Sequence, residues 1–211
     1  MQDMQGFLDR LRQLRLLPVV KLDSPNQAVP LAKALHAGGL SCAEITFRTG
    51  AAEESIRRVS ECVPEVYVCA GTVLTPDMAK RAVQAGAKAV ISPGTNRKVV
   101  EWCLEHDVPV LPGCATPSEV EQAIRLGLKA VKLFPAEVVG GLKMLKALAG
   151  PYPDMFFVPT GGITPKNLRD YLALSNVLAC GGSWIVPEPA LACGDYGTIE
   201  SLAKEAKALL L

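Results

Sequence analysis

The 211-residue chain is 49% hydrophobic, 5% aromatic and carries a formal net charge of +1. That apolar fraction can fill one sizeable core, so a single domain over 1–211 is expected. The balanced charge and scarce aromatics argue against nucleic acid or an anionic membrane as partner.

In chain order, the N-terminal stretch MQDMQGFLDRLRQLRLL mixes charges with leucines at helical spacing and lacks an unbroken apolar run. It reads as an amphipathic helix and not as a signal peptide. No later run approaches the roughly 20 apolar residues of a membrane span. Short apolar runs then begin near Pro18, Cys42, Val66, Lys88, Val108, Lys129, Met155 and Asn176. Most lack alternation, as strands buried on both faces do. Amphipathic segments separate them. Ser24-Pro25, Thr75-Pro76, Thr116-Pro117 and Thr164-Pro165 each place a capping hydroxyl before a proline at a helix start, and Thr116 and Glu119 have capping-box spacing. Gly86 and Gly127 stand where such helices end. Eight βα units without a linker predict an α/β protein: a (β/α)8 TIM barrel whose extra N-terminal helix caps the bottom. An open doubly wound sheet is the alternative, disfavoured because no G-x-G-x-x-G follows a first strand. Seven cysteines (42, 62, 69, 103, 114, 180 and 193) are scattered through apolar segments without CxxC spacing. They read as reduced core residues of a cytoplasmic protein.

Strand ends carry the polar residues of interest. In AVKLFP, Lys132 interrupts an apolar strand and shares a face with Ala130 and Phe134. Desolvating an ammonium is costly, and a dry pocket favours the neutral amine that attacks carbonyls. The competing reading is a stem that snorkels to water. In CAEITFR, Glu44, Thr46 and Arg48 share a face by the same period. Glu44, set among Cys42, Ala43 and Ile45, suits a general acid or base, or else a structural Glu–Lys pair. Arg48 offers a planar fork for carboxylate or phosphate. Gly71-Thr72 and Ser92-Pro93-Gly94 bring small residues and hydroxyls to the same rim, although turn formation explains their glycines equally well. Thr160-Gly161-Gly162 and Cys180-Gly181-Gly182-Ser183 end the seventh and eighth runs, where barrels commonly bind phosphate. His36 and His106, the only histidines, fall on outer helices, so no metal and no cofactor is expected.

Together CAEITFRT, CAGTVLTP, ISPGTN, VKLFPAE, PTGGITPKN and GGSW resemble the class I 2-keto-3-deoxy-6-phosphogluconate (KDPG) and 4-hydroxy-2-oxoglutarate aldolases, from about Pro18 to Tyr196. The resemblance implies a metal-free homotrimer of barrels that reversibly cleaves KDPG to pyruvate and D-glyceraldehyde 3-phosphate, with side activity on 4-hydroxy-2-oxoglutarate. By motif, Lys132 is the Schiff-base lysine and Glu44 the acid/base. Arg48 and Thr72 hold the carboxylate, and Pro93 and Phe134 wall the pyruvyl pocket. Gly161, Gly162, Gly181, Gly182 and Ser183 hold the phosphate, and Thr160 bears on stereochemistry at C4. The alternatives are a non-catalytic phosphate-binding barrel, a sugar-phosphate isomerase or cyclase, and the C4-epimeric phosphogalactonate aldolase. Lys21 departs from the family pattern by adding a second amine near the rim. On this reading Lys132→Ala abolishes turnover and leaves the fold intact.

Overall fold

The computed structural model describes residues 2–210. Helix α1 (Gln2–Leu14) precedes β1 (Leu16–Val20), α2 (Ala28–Ala37), β2 (Cys42–Thr46), α3 (Ala52–Cys62), β3 (Tyr67–Gly71), α4 (Pro76–Gln84), β4 (Ala89–Ile91) and α5 (Arg97–Glu105). There follow β5 (Val110–Leu111), β6 (Gly113–Cys114), α6 (Pro117–Arg125), β7 (Ala130–Leu133), α7 (Gly141–Ala149) and β8 (Phe156–Pro159). The chain closes with α8 (Leu168–Leu172), β9 (Cys180–Gly182), α9 (Glu188–Cys193) and α10 (Tyr196–Ala208).

Every strand pairing is parallel. A curled six-stranded sheet runs β5-β4-β3-β2-β1-β9, and a three-stranded sheet runs β6-β7-β8. The division at Pro112 was not foreseen. Proline has no N–H to contribute to a ladder, yet its carbonyl accepts from Lys132 N at 2.8 Å while Leu111 O accepts from Ser92 N at 3.2 Å. At the other margin, parallel bridges join Phe157 to Val177 and Thr160 to Gly181.

The sequence punctuation mostly holds. Thr75 and Thr116 cap α4 and α6 through their hydroxyls, and Thr116 forms the full capping box with Glu119. Ser24 caps a 3-10 turn at Pro25–Gln27 instead of an α-helix. The expected cap at Thr164 is wrong. Helix α8 starts only at Leu168, and the Thr164 N–H instead donates to Asn167 Oδ1 at 2.8 Å. Gly86 and Gly127 take the left-handed φ of 101° and 80° expected beyond a helix end.

Two apolar clusters sort the strand faces. The larger packs alternate strand residues, such as Ala43, Ile45, Val131 and Leu133, beneath the helices that follow β1. The smaller takes the opposite face, where Phe7, Leu8 and Leu11 of α1 meet Leu17, Cys42, Cys69, Ala130 and Val158. Helix α1 thus plugs one end of the strands with the apolar face that its leucine spacing predicted. Each of its three buried side chains contributes roughly 1.5–3 kcal/mol by leaving water. No helix among the described residues is long and apolar enough to cross a membrane.

Candidate active site

The face that α1 covers at one end becomes polar at the other. Ala43 and Ile45 turn toward the helices, which leaves Cys42, Glu44 and Thr46 on the opposite side of β2. The same alternation on β7 pairs Ala130 with Lys132. Beyond the α1 plug, Lys132 Nζ donates to Glu44 Oε1 at 2.9 Å and Oε2 at 3.3 Å, joining residues 88 positions apart. Lys132 is 5% and Glu44 1% exposed. Each charge thus has its partner within a buried setting, which is the condition for either to persist there. The Nζ also lies 5.5 Å from the centroid of the Phe134 ring. The stem does not snorkel to water.

The neighbours make room for this pair and orient its surroundings. Gly71 stands opposite Thr46 in the β2–β3 register, and a Cβ there would run into Glu44 Oε1. Its glycine therefore answers to close approach and not to a turn. Thr72 follows with φ of 57°, a left-handed conformation rare for a β-branched residue, held at the cavity wall. Thr46 donates its hydroxyl proton to Val20 O at 2.9 Å, so its oxygen is left to accept from Arg48 Nε at 3.2 Å. That contact fixes the guanidinium just past the strand end.

A cavity of about 270 Å³ opens above the pair. Every residue predicted for the site lines it except Gly182, whose Cα instead supports the Trp184 ring. Lys132, Glu44, Arg48, Thr72, Pro93 and Phe134 line it together with Thr160, Gly161, Gly162, Gly181 and Ser183. Gly161 and Gly162 adopt φ of 98° and 82°, conformations that only glycine enters without strain. Gly181 has no room for a Cβ because Thr160 Oγ1 lies against it. Val19 and Ile163 line the cavity too. Strand alternation could have found Val19, which pairs with Glu44 in register. Ile163 offered no signal.

Other candidates fall away from this centre. Lys21 lies past β1, outside the cavity lining, and pairs with Asp23 at 3.1 Å. His36 Nδ1 lies 2.9 Å from Ser41 Oγ, and His106 stacks on Trp102 with centroids 4.3 Å apart. Among the described residues no group of three or more His, Cys, Asp or Glu side chains is placed to hold a metal. Burial pushes the thiols of Cys42 and Cys180 up to about 12, so neither supplies a thiolate nucleophile near neutrality. The pairing predicts a stability cost for Lys132→Ala, which by sequence was expected to leave the fold intact. Removing the ammonium strands a carboxylate in a buried site.

Comparison with known proteins agrees with this geometry. The family model described as KDPG and KHG aldolase matches residues 8–202. The chain belongs to that family. It is therefore an aldolase, a carbon–carbon lyase. It is 48% identical over 199 residues to the 2-dehydro-3-deoxy-phosphogluconate aldolase of Treponema pallidum, covering 94% of this chain and 95% of that protein. The KHG/KDPG aldolase of Escherichia coli K12 is 48% identical, with 90% of each chain covered. Among solved structures, the KDPG aldolase of Legionella pneumophila, with pyruvate captured as a covalent carbinolamine intermediate, superposes with a TM-score of 0.89 at 39% identity. That match covers 92% of this chain and 94% of the other. The Zymomonas mobilis enzyme with 3-phosphoglycerate gives 0.91 at 39% identity, covering 98% and 97%.

Proposed function

We propose that residues 1–211 form one (β/α)8 aldolase domain that reversibly cleaves KDPG to pyruvate and D-glyceraldehyde 3-phosphate through a Schiff base on Lys132. The observation that carries this reading is the buried Lys132–Glu44 contact of 2.9 Å at the cavity wall. Support for the barrel comes from the two margins of the sheets. The Pro112 carbonyl links β7 to the β5–β6 stretch, and the Thr160–Gly181 bridge links β8 to β9.

The chemistry follows from the contact. Glu44 takes a proton from Lys132, and the free amine adds to the C2 ketone. Glu44 returns that proton to the carbinolamine hydroxyl, which departs as water and leaves a cationic imine beside a carboxylate again free to act as base. Glu44, directly or through one water, next removes the C4 hydroxyl proton. The C3–C4 bond breaks, its electron pair flows into the imine to give an enamine, and the aldehyde departs. Protonation at C3 and hydrolysis return the lysine and release pyruvate. The lysine imine is the electron sink, so cleavage calls on neither cofactor nor metal. Arg48 and Thr72 hold the substrate carboxylate, with Pro93 and Phe134 walling the pyruvyl group. Gly161, Gly162, Gly181, Gly182 and Ser183 receive the phosphate, where glycines let backbone N–H groups come close to an anion. Thr160, also in the cavity lining, bears on the configuration accepted at C4. Cleavage of 4-hydroxy-2-oxoglutarate uses the same pyruvyl end.

The family resemblance further implies a homotrimer, for which light scattering after size exclusion should return three times the chain mass; a monomer would refute it. Seven unpaired cysteines suit a cytoplasmic protein. Borohydride added with pyruvate tests the central claim. It should leave a covalent adduct that peptide mapping assigns to Lys132. An adduct on Lys21, or none, refutes the mechanism.

A further inference from the structure

The turn from Thr160 to Ile163 is held from outside at three consecutive carbonyls. Thr160 O accepts from Ala136 N at 2.8 Å, and Gly161 O accepts from Glu137 N at 3.1 Å. Gly162 O accepts from Asn167 Nδ2 at 3.1 Å. In a trans peptide the carbonyl and the following N–H point in opposite directions. The N–H groups of Gly161, Gly162 and Ile163 are therefore turned away from these donors, and all three residues line the cavity. Consecutive N–H groups turned the same way make a concavity for an anion.

Two of the three clamps are backbone groups that any sequence would supply. The third is a side chain, and its orientation is determined chemically. The Thr164 N–H can only donate, so the Asn167 atom 2.8 Å from it is the oxygen, leaving the amide nitrogen for Gly162 O. Asn167 is not part of the cavity lining.

We propose that Asn167 is a positioning residue for anion recognition: it fixes the Gly162–Ile163 peptide so that three N–H groups face the cavity. By doing so it sets the preference for phosphate-ended over carboxylate-ended substrates. The inference rests on the aldolase reading above. Asn167→Asp retains an acceptor for Thr164 N–H and loses the donor to Gly162 O, whereas Asn167→Ala loses both.

Both variants should raise KM for KDPG about tenfold, with kcat little changed. Inhibition by inorganic phosphate should weaken by a similar factor. Borohydride trapping with pyruvate and kcat/KM for 4-hydroxy-2-oxoglutarate should stay at wild-type levels. A merely structural role would lower both substrates alike, together with the melting temperature, and would overturn the proposal. So would a variant that keeps full phosphate sensitivity. If the wild-type protein itself is indifferent to inorganic phosphate, the phosphate assignment fails first and takes this proposal with it.

Discussion

Replacing Lys132 by methionine preserves most of the side-chain volume and removes only the ammonium. Glu44 then sits 1% exposed, its two oxygens stripped of the donor that reached them at 2.9 and 3.3 Å. Removing one partner of a buried pair typically costs about 3–5 kcal/mol, because the surviving charge keeps its desolvation penalty. At roughly 2–4 °C per kcal/mol for a chain of this size, melting should fall by about 6–20 °C. The deficit should shrink as pH is lowered, since protonation of the orphaned carboxyl removes the uncompensated charge. A second substitution, Glu44→Met, removes that charge outright. The double variant should recover most of the loss, because two apolar residues of similar volume can replace a buried pair at little cost. Thermal unfolding at fixed protein concentration, followed by circular dichroism, compares the wild type, Lys132→Met and the double variant. A double variant no more stable than Lys132→Met would show that the stranded charge is not the cause. Wild-type stability in Lys132→Met would show that the pair carries no energy at all.

Glu44→Gln should still trap some pyruvate with borohydride yet lose proton exchange at the pyruvate methyl by about 10²–10⁴-fold; a loss under about tenfold would demote Glu44 to a structural partner. Ser183→Ala removes a single hydrogen bond to a charged group and should lower kcat/KM for KDPG by about one to two decades while sparing 4-hydroxy-2-oxoglutarate, so equal losses would exclude phosphate contact. Cys62 and Cys193 are exposed and the other five cysteines buried, so native labelling with a thiol reagent should modify those two alone, and rapid reaction of Cys42 or Cys69 would contradict the packing of α1 over them. Burial also raises Cys103 to about 12 and Cys114 to about 11. The stability these thiols supply is complete below their unfolded value of about 8.5 and is lost as pH climbs toward the folded values. Melting temperature should accordingly decline above pH ~9, and a flat profile up to pH ~11 would rule out this contribution.

Much of the site was legible because strand periodicity is local. A period of two is enough to put Lys132 on the face of Ala130, and Glu44 on the face of Thr46 and Arg48, without knowing what lies opposite. The hydroxyl-proline starts at Thr75 and Thr116 are local in the same sense, since a cap satisfies N–H groups two or three residues away. What spacing cannot express is which distant residues meet. That Lys132 and Glu44 share a buried hydrogen-bonded contact, and that lysine removal therefore strands a charge, depends on two strands 88 residues apart being carried to one cavity. The same holds for Gly71, whose missing side chain serves Glu44 and not its own turn. Thr164 looked like a cap by its proline, but its own N–H is engaged by the Asn167 amide, which also reaches Gly162 O, and α8 begins only beyond them. Sequence determines the chemistry each strand presents, through side-chain alternation and caps. Only the packed sheets decide which groups confront one another, because burial, pairing and close approach belong to contacts between segments.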